Sequence, residues 1–206
     1  MSIEQPTILF VPGAWHFPAG FDAVRELLKP LGYPTEAVAL PSVGAERPTK
    51  TLNGESAHTR AAIQKLADAE KKIGLVTHSY GGVVGSCAVE DLGFAQRKAI
   101  EKVFYHDMSP SEQEKWITQL SHTSAAVFSG KSTNEPWHHM PCMYIYCGED
   151  KAIPLIVQQG IAGSMGADIS KFSISIEASH SPFLSVPDKL VEGIELAAKV
   201  GLSKSL

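Results

Sequence analysis

The chain is poor in cysteine, in clustered positive charge and in long apolar runs, and each shortage excludes a class of protein. Its 206 residues include three cysteines with no C-x-x-C pair, which predicts neither a disulfide framework nor a cysteine-based metal site. His138 and His139 lack a third ligand at suitable spacing, so no metal is expected there either. No apolar stretch reaches the length of a membrane span.

The charge balance excludes two kinds of partner. The formal net charge is -4, and no basic cluster is interleaved with aromatic residues. Neither nucleic acid nor an anionic membrane is therefore expected as a partner. Residues 1–6 lack the basic region and apolar core of a signal peptide, and the three cysteines are typical of small buried hydrophobes in a reducing compartment. The predicted location is the cytoplasm.

Apolar segments of strand length alternate with segments of helical periodicity along most of the chain. Strands are predicted at 7–11, 35–40, 73–77, 143–147 and 172–176, and helices at 21–31, 57–69, 81–91 and 187–200. Several of the strands are apolar throughout, as in a parallel sheet that is covered on both faces. We therefore predict an α/β fold in one domain, residues 1–206, with a mostly parallel sheet and helices on both sides.

The region between residues 91 and 141 does not follow this alternation. Only residues 103–105 could form a strand there, and they are followed by polar residues. Ser109 and Pro110 are typical of a helix start, with the serine as N-cap. We interpret residues 108–141 as a lid inserted into the domain.

A serine occupies the apex of the predicted turn between the strand at 73–77 and the helix at 81–91. Thr77-His78-Ser79-Tyr80-Gly81 has the spacing of a G-x-S-x-G nucleophile elbow, in which small neighbours permit a strained turn. Gly81 supplies the second small position, whereas Thr77 is bulkier than the first position prefers. The alternative is an ordinary strand-to-helix turn that exposes a serine.

An acid and a histidine follow later strands in the chain order that such a serine requires. Asp150 follows the strand at 143–147, and His180 follows the last strand. Because the carboxyl ends of parallel strands share one edge of a sheet, Ser79, Asp150 and His180 are predicted to converge as a catalytic triad. Glu149 is a competing acid. Asp150 is preferred because it lies just past the strand and has the shorter side chain.

Backbone amides near the serine are candidates for an oxyanion hole. Tyr80 follows the serine, and Ala14 lies in the loop after the first strand, beside the flexible Gly13. Trp15, His16 and Phe183 flank the catalytic loops and are candidates for substrate binding. Core packing is the alternative for the two aromatic residues, and a surface position for His16.

Five segments together resemble the α/β-hydrolases of the small esterase branch, which includes plant methylesterases, hydroxynitrile lyases, and fungal and bacterial relatives. The segments are FVPGAWH at 10–16, LPSVG at 40–44, THSYGG at 77–82, GEDKAIP at 148–154 and SHSPF at 179–183. The resemblance implies the α/β-hydrolase fold, a triad at Ser79, Asp150 and His180, oxyanion donors at Ala14 and Tyr80, and no cofactor.

The chain departs from that branch in its middle. Residues 104–110 resemble the later part of the branch's lid, yet they come directly after residues 98–100. A core strand and the first half of the lid are therefore expected to be missing, which reduces the lid. Since unpaired interior backbone is costly, residues 103–105 are predicted to form a substitute strand.

Three functions remain open from the sequence. The first is a serine hydrolase of the carboxylesterase or lactonase type that cleaves a small-molecule ester or lactone through an acyl-enzyme. The second is a hydroxynitrile lyase-like or other C–C lyase on the same triad. It ranks lower because the branch's lyases use a lid lysine, and Lys131 has no obvious match. The third is a non-catalytic small-molecule binding protein.

Overall fold

The computed structural model describes residues 4–45, 50–88, 104–130, 135–138, 140–166 and 172–204. The chain forms two compact units. The first comprises Met1–Ala95 and Leu120–Pro136, and the second comprises Gln96–Gln119 and Trp137–Leu206. Each unit contains one parallel sheet, and the two are described separately.

The sheet of the first unit consists of three parallel strands in the order β2-β1-β3. The strands are β1 (Thr7–Val11), β2 (Thr35–Ala37) and β3 (Ile73–Thr77). All five residues of β1 are buried, as expected for the central strand of a parallel sheet. In the register, Val11 is paired with Thr77, so β1 and β3 end at the same level. The loops that follow these two strands therefore start side by side.

Helices pack on this sheet. They are α1 (Asp22–Leu28), flanked by the short 3-10 helices Pro18–Phe21 and Lys29–Leu31, then α2 (Leu52–Asp68), α3 (Tyr80–Ala88) and the 3-10 helix Ala125–Ser129. Thr51 caps α2, because its Oγ1 accepts a hydrogen bond from the Gly54 N–H at 3.3 Å. Side chains of β1, α2 and α3 form the main core, including Leu9, Leu66 and Val84.

The second unit has a two-stranded parallel sheet, β4 (Ile145–Cys147) with β5 (Ile174–Ile176). Its helices are α4 (Pro110–Thr118), α5 (Leu155–Ser164), α6 (Pro182–Ser185) and α7 (Pro187–Lys204). The 3-10 helix Pro136–His138 lies where the chain enters this unit. Beyond the strand ends, the Gly148 N–H donates to the Ile176 carbonyl at 2.9 Å and the Glu149 N–H to the Ala178 carbonyl at 3.1 Å. The loops after β4 and β5 are thus joined along their first residues.

Most of the expected elements form, with shifted ends. β1 and β3 have their predicted bounds, and Ser109 caps α4 through the Glu112 N–H at 3.4 Å, as expected. β2, β4 and β5 are shorter than predicted, whereas α2 begins five residues earlier than the predicted 57. The predicted end of the serine helix at 91 lies outside the described residues.

The prediction of a substitute strand at residues 103–105 is wrong for Phe104 and Tyr105. Residue 103 lies outside the described residues. Phe104 and Tyr105 are not part of a strand. Tyr105 is completely buried, and the Phe104 ring stacks on the imidazole of His180, with ring centroids 4.8 Å apart. Both residues are therefore held in place by the packing of their side chains and not by backbone pairing in a sheet.

The cysteines have the buried character that their sequence surroundings predict. Cys87 and Cys147 are buried thiols, and Cys142 is half-buried. Burial, with a smaller contribution from Asp150, raises the pKa of Cys147 to about 12, so this thiol stays protonated at neutral pH. Among the described residues, no helix combines the length and the apolar character that crossing a membrane requires.

The position of Gly81 yields a stability prediction. A Cβ at Gly81 would lie 2.3 Å from the Val11 carbonyl oxygen and 2.4 Å from that of Pro12, both backbone atoms. A Cβ at Gly82 would meet nothing closer than Thr77 Oγ1 at 3.6 Å. Gly81→Ala is expected to lower the free energy of unfolding by about 3 kcal/mol, and Gly82→Ala to change it by less than about 1 kcal/mol.

Urea denaturation of the two variants beside the parent measures this difference. The two substitutions add the same methyl group to adjacent positions of one helix. Equal midpoints for Gly81→Ala and Gly82→Ala would show that the close approach to β1 is absent.

Candidate active site

Ser79 occupies a tight turn between β3 and α3. β3 ends at Thr77 and α3 begins at Tyr80, so only His78 and Ser79 connect the strand to the helix. Ser79 has a φ angle of 51°, in the left-handed region that a residue with a side chain adopts at a cost of about 1–3 kcal/mol. The Gly81 N–H donates to the His78 carbonyl at 2.7 Å. The strained strand-to-helix turn expected from the motif is therefore formed, and residues 77–81 are called the serine turn below.

The loop after β1 packs directly against the serine turn. A Cβ at Gly13 would lie 2.8 Å from His78 Nδ1 and 3.2 Å from the Cβ of Ser79. The His78 N–H donates to the Val11 carbonyl at 3.1 Å. Because neither Gly13 nor Gly81 has a side chain, the backbone of this loop lies within contact distance of the serine.

The bulk of Thr77, which departs from the motif, is accommodated by a third glycine. A Cβ at Gly85 would lie 2.5 Å from Thr77 Cγ2. Gly85 is one helical turn further along α3, on the face that covers the end of β3. The missing side chain at Gly85 therefore leaves the space that the threonine methyl fills.

The two candidate oxyanion donors both lie in the first unit. Tyr80 is the first residue of α3, so the helix does not use its amide for an internal hydrogen bond. Ala14 lies between Gly13 and Trp15, in the loop packed against the serine turn. Its carbonyl accepts a hydrogen bond from the His16 ring at 2.9 Å, which fixes the orientation of the 14–15 peptide.

Trp15 and His16, two candidates for substrate binding, flank this loop. Trp15 is half-buried with a φ angle of 70°, and its N–H donates to Thr123 Oγ1 at 2.9 Å. Its ring lies 6.0 Å from that of Phe128, which also contacts the Tyr80 ring at 5.3 Å. His16 is buried, with its ring edge-on to His78. The third candidate, Phe183, is fully buried in α6 of the second unit.

Glu55 is a buried carboxylate that the sequence analysis missed. It is fully buried in the first turn of α2 and accepts hydrogen bonds from the Ser42 N–H at 2.9 Å and from the Tyr80 hydroxyl at 2.5 Å. Burial and then the charge of Glu55 raise the pKa of Tyr80 well above its usual value, so the tyrosine remains a donor. The hydrogen bond between Glu55 and Tyr80 thus fixes the side chain of Tyr80, the residue that follows Ser79. Glu55 lies outside the helix predicted at 57–69, and an acidic side chain normally indicates an exposed position, so no sequence signal singled it out.

Asp150 and His180 form a buried pair in the second unit. The His180 Nδ1 lies 2.9 Å from Asp150 Oδ2, and each side chain is 5% exposed. Asp150 Oδ1 accepts hydrogen bonds from the backbone N–H groups of Ala152 at 2.7 Å and Ile153 at 2.9 Å. Both carboxylate oxygens are therefore occupied, one by the loop backbone and one by the imidazole.

Gln158 is a second polar residue that the sequence analysis missed, because α5 itself was not predicted. Its side chain is 3% exposed. Its Oε1 accepts from the Cys147 N–H at 3.0 Å, and its Nε2 donates to the carbonyls of Cys147 at 2.9 Å and Ile153 at 2.7 Å. The side-chain amide of Gln158 thus joins Cys147 and Ile153, which lie on either side of Asp150 in its loop.

The candidate site residues are divided between the two units. Ser79, Ala14 and Tyr80 belong to the first unit, and Asp150 and His180 to the second. Over the described ranges, no group of three or more His, Cys, Asp or Glu side chains could hold a metal ion. The candidate site residues supply a strained serine, a carboxylate-bound imidazole and backbone amides.

Comparisons with known proteins agree with this architecture. The sequence model of the alpha/beta hydrolase family matches residues 8–103 and 88–193. The curated protein "Alpha/beta hydrolase nvfD" of Aspergillus novofumigatus is 24% identical, with 94% of this chain and 97% of that protein covered. That alignment extends over 246 positions, more than this chain has residues, so the fungal protein has residues without a counterpart here.

Solved structures show the same fold. The methylesterase MES16 from Arabidopsis has a TM-score of 0.72 at 17% identity, with 95% of this chain and 99% of that chain covered. A pyrethroid hydrolase from Sphingobium faniae has a TM-score of 0.70 at 20% identity, covering 96% of this chain and 99% of that chain. At such identities the likeness concerns the fold.

The chain belongs to the alpha/beta hydrolase family, because the family model matches most of its length. The predicted fold class, the resemblance to the α/β-hydrolases and the prediction of a hydrolase are confirmed. A methylesterase, the kind of protein that the resemblance named, is among the solved structures that share the fold.

The space that Gly85 leaves for Thr77 leads to a double-mutant prediction. Gly85→Ala is expected to lower the free energy of unfolding by about 1–3 kcal/mol, since the new methyl would overlap Thr77 Cγ2. Thr77→Ser removes that methyl, so the same glycine substitution in the Thr77→Ser background should cost less than about 1 kcal/mol.

Urea denaturation of the parent, the two single variants and the double variant measures the coupling between positions 77 and 85. Additive effects would contradict the proposed fit, because they would mean that the two side chains do not share the space.

Proposed function

We propose that the protein is a serine hydrolase that cleaves small-molecule carboxylic esters or lactones through an acyl-enzyme. Ser79 is the nucleophile, His180 the general base and Asp150 the acid that orients the imidazole. The observation that carries the proposal is the buried 2.9 Å contact between His180 Nδ1 and Asp150 Oδ2. It is the arrangement by which a histidine is prepared to take a proton from a serine.

The Asp150 contact sets the tautomer of His180. An ionised carboxylate only accepts hydrogen bonds, so Nδ1 carries the proton and Nε2 is left with a lone pair. In the proposed reaction, Nε2 takes the Ser79 proton while Oγ attacks the ester carbonyl carbon. The imidazolium then gives that proton to the departing alkoxide, and an alcohol leaves. Water repeats the sequence on the acyl-enzyme, which releases the acid and restores the serine.

The amides of Tyr80 and Ala14 are proposed to bind the oxygen that becomes negative during each attack. Two features support this role. Tyr80 opens α3, where unpaired amides and the helix dipole favour negative charge. Ala14 follows Gly13, which is close to Ser79 because it lacks a side chain.

The substrate class is proposed from the chemistry and from similar proteins. A methylesterase and a pyrethroid hydrolase are among the proteins that share the fold. Trp15 and Phe128 offer apolar surface in the same unit as Ser79, while His16 and Phe183 remain candidates for substrate contact. No cofactor is needed for this reaction. Lys131, which has no obvious match to the lid lysine of the branch's lyases, lies outside the described residues. The hydrolase is proposed alone, since no contact among the described residues favours the lyase.

Two broader expectations belong to the same proposal. Residues 108–141 are proposed to act as a reduced lid of a single domain that spans residues 1–206. The three free thiols fit a reducing compartment, and we propose the cytoplasm as the location. A small-molecule ester or lactone is then the expected partner, with neither nucleic acid nor a membrane required.

Covalent labelling tests the nucleophile. The parent protein, incubated with a fluorophosphonate probe, is expected to be labelled on Ser79 and to hydrolyse short-chain aryl esters. Ser79→Ala should lose both properties. Ser86→Ala, in the same α3 helix, is the matched control and should behave as the parent. An unlabelled parent, or a labelled Ser79→Ala variant, would contradict the proposal.

The acid is tested by neutralising each of two adjacent carboxylates. Asp150→Asn is expected to lower kcat for p-nitrophenyl acetate on the order of 10⁴-fold, since an amide can hold the imidazole in the wrong tautomer. Glu149→Gln should leave kcat within about twofold of the parent. The opposite ranking of the two variants would assign the role of the acid to Glu149.

A further inference from the structure

The segment before α4 contacts the loop that carries His180 at three points. The Asp107 Oδ2 accepts a hydrogen bond from the Ser179 N–H at 2.8 Å. The Ser179 hydroxyl donates to the Phe104 carbonyl at 2.7 Å, and the Phe104 ring stacks on the His180 ring at 4.8 Å with an interplanar angle of 27°. Phe104 and Asp107 therefore hold His180 and the residue before it.

These contacts lie in a closely packed part of the second unit. Ala178, Ser179 and Ser181 are each 0% exposed, and His180 is 5% exposed. Tyr105, between Phe104 and Asp107, is also 0% exposed. The histidine loop is therefore buried, while the side chain of Asp107 that contacts it is exposed to solvent.

Asp107 is charged at neutral pH. Its partial burial raises its pKa, but hydrogen bonding, first of all with Ser179, outweighs that effect in sum, and the net result is a pKa below the usual range. The hydrogen bond to the Ser179 N–H is therefore charge-assisted, which makes it stronger than a bond between neutral groups. Because Ser179 directly precedes His180, this bond fixes the backbone from which the imidazole side chain projects.

We infer that Asp107 is a positioning residue for the catalytic base. Asp107 acts through Ser179 to set the position of the His180 ring, and Phe104 covers one face of that ring. In this position, His180 Nδ1 lies within hydrogen-bond distance of Asp150. The inference rests on the proposed function only in giving His180 the role of base. The 104–107 segment, whose first residues had been expected to form a strand, thereby acquires a role in the site.

The test separates the hydrogen bond from the charge of Asp107. Asp107→Ala removes the acceptor, whereas Asp107→Asn keeps an oxygen that can accept from the Ser179 N–H. Asp188→Ala, an exposed aspartate of the same unit, is the matched control. For each variant, the downfield proton resonance of the His180 Nδ1–H and the rate of fluorophosphonate labelling at Ser79 are measured.

In Asp107→Ala, the downfield resonance is expected to broaden through exchange with water, and the labelling rate to fall about tenfold or more, as a displaced catalytic group predicts. Asp107→Asn should keep the resonance and most of the labelling rate. Asp188→Ala should match the parent in both. Parent-like values in Asp107→Ala, or equal losses in the alanine and asparagine variants, would overturn the inference.

A second variant covers the case in which Asp107→Ala does not fold. Asp107→Leu removes the acceptor of the Ser179 N–H bond and keeps a branched side chain at the position of the carboxylate. It is expected to fold, to broaden the resonance and to slow labelling severalfold, and parent-like values there would also overturn the inference. If the parent itself is not labelled, the proposed function fails, while the resonance still decides whether Asp107 positions His180.

Discussion

The contact between the loop after β1 and the serine turn is the constraint on which the first unit depends. A Cβ at Gly81 would overlap the carbonyl oxygens of Val11 and Pro12, and a Cβ at Gly13 would lie 2.8 Å from His78 Nδ1 and 3.2 Å from the Cβ of Ser79. The left-handed backbone of Ser79 costs free energy that this packing has to offset. The central position of β1 supplies the rigidity, because its register with β3 brings both strand ends to one level.

Carboxylates that accept backbone N–H groups recur in both units; Glu55 and Asp150 are buried, and Asp107 is exposed. Glu55 binds the amide of Ser42, Asp107 that of Ser179, and Asp150 those of Ala152 and Ile153. In each case one carboxylate fixes a loop and also contacts or supports a group beside the candidate site. Charge-assisted bonds of this kind hold irregular backbone that has no sheet or helix to order it. This chain thus positions its functional loops with acids as well as with its scaffold.

The sequence predicted the parts of the structure in which pattern and packing agree. β1 and β3 are uninterrupted apolar runs, and the serine turn follows from its spacing. α5 was not predicted, because Ile156 is 75% exposed while Gln158 is buried, the reverse of an amphipathic pattern. The roles of Glu55 and Asp107 were out of reach for a related reason. Their partners, Tyr80 and Ser179, are far away in the sequence, and Glu55 is also buried, whereas an acidic residue normally indicates an exposed position.

The φ angle of Ser79 has a consequence for how such a protein would evolve. Glycine or asparagine fits a left-handed backbone at lower cost than serine does. A lineage that no longer needed the hydroxyl would gain stability by exchanging this one residue, with no change of fold. If the proposed reaction is the selected property, it is what keeps a serine at this position. In descendants of this chain that lose the reaction, glycine or asparagine is expected at position 79.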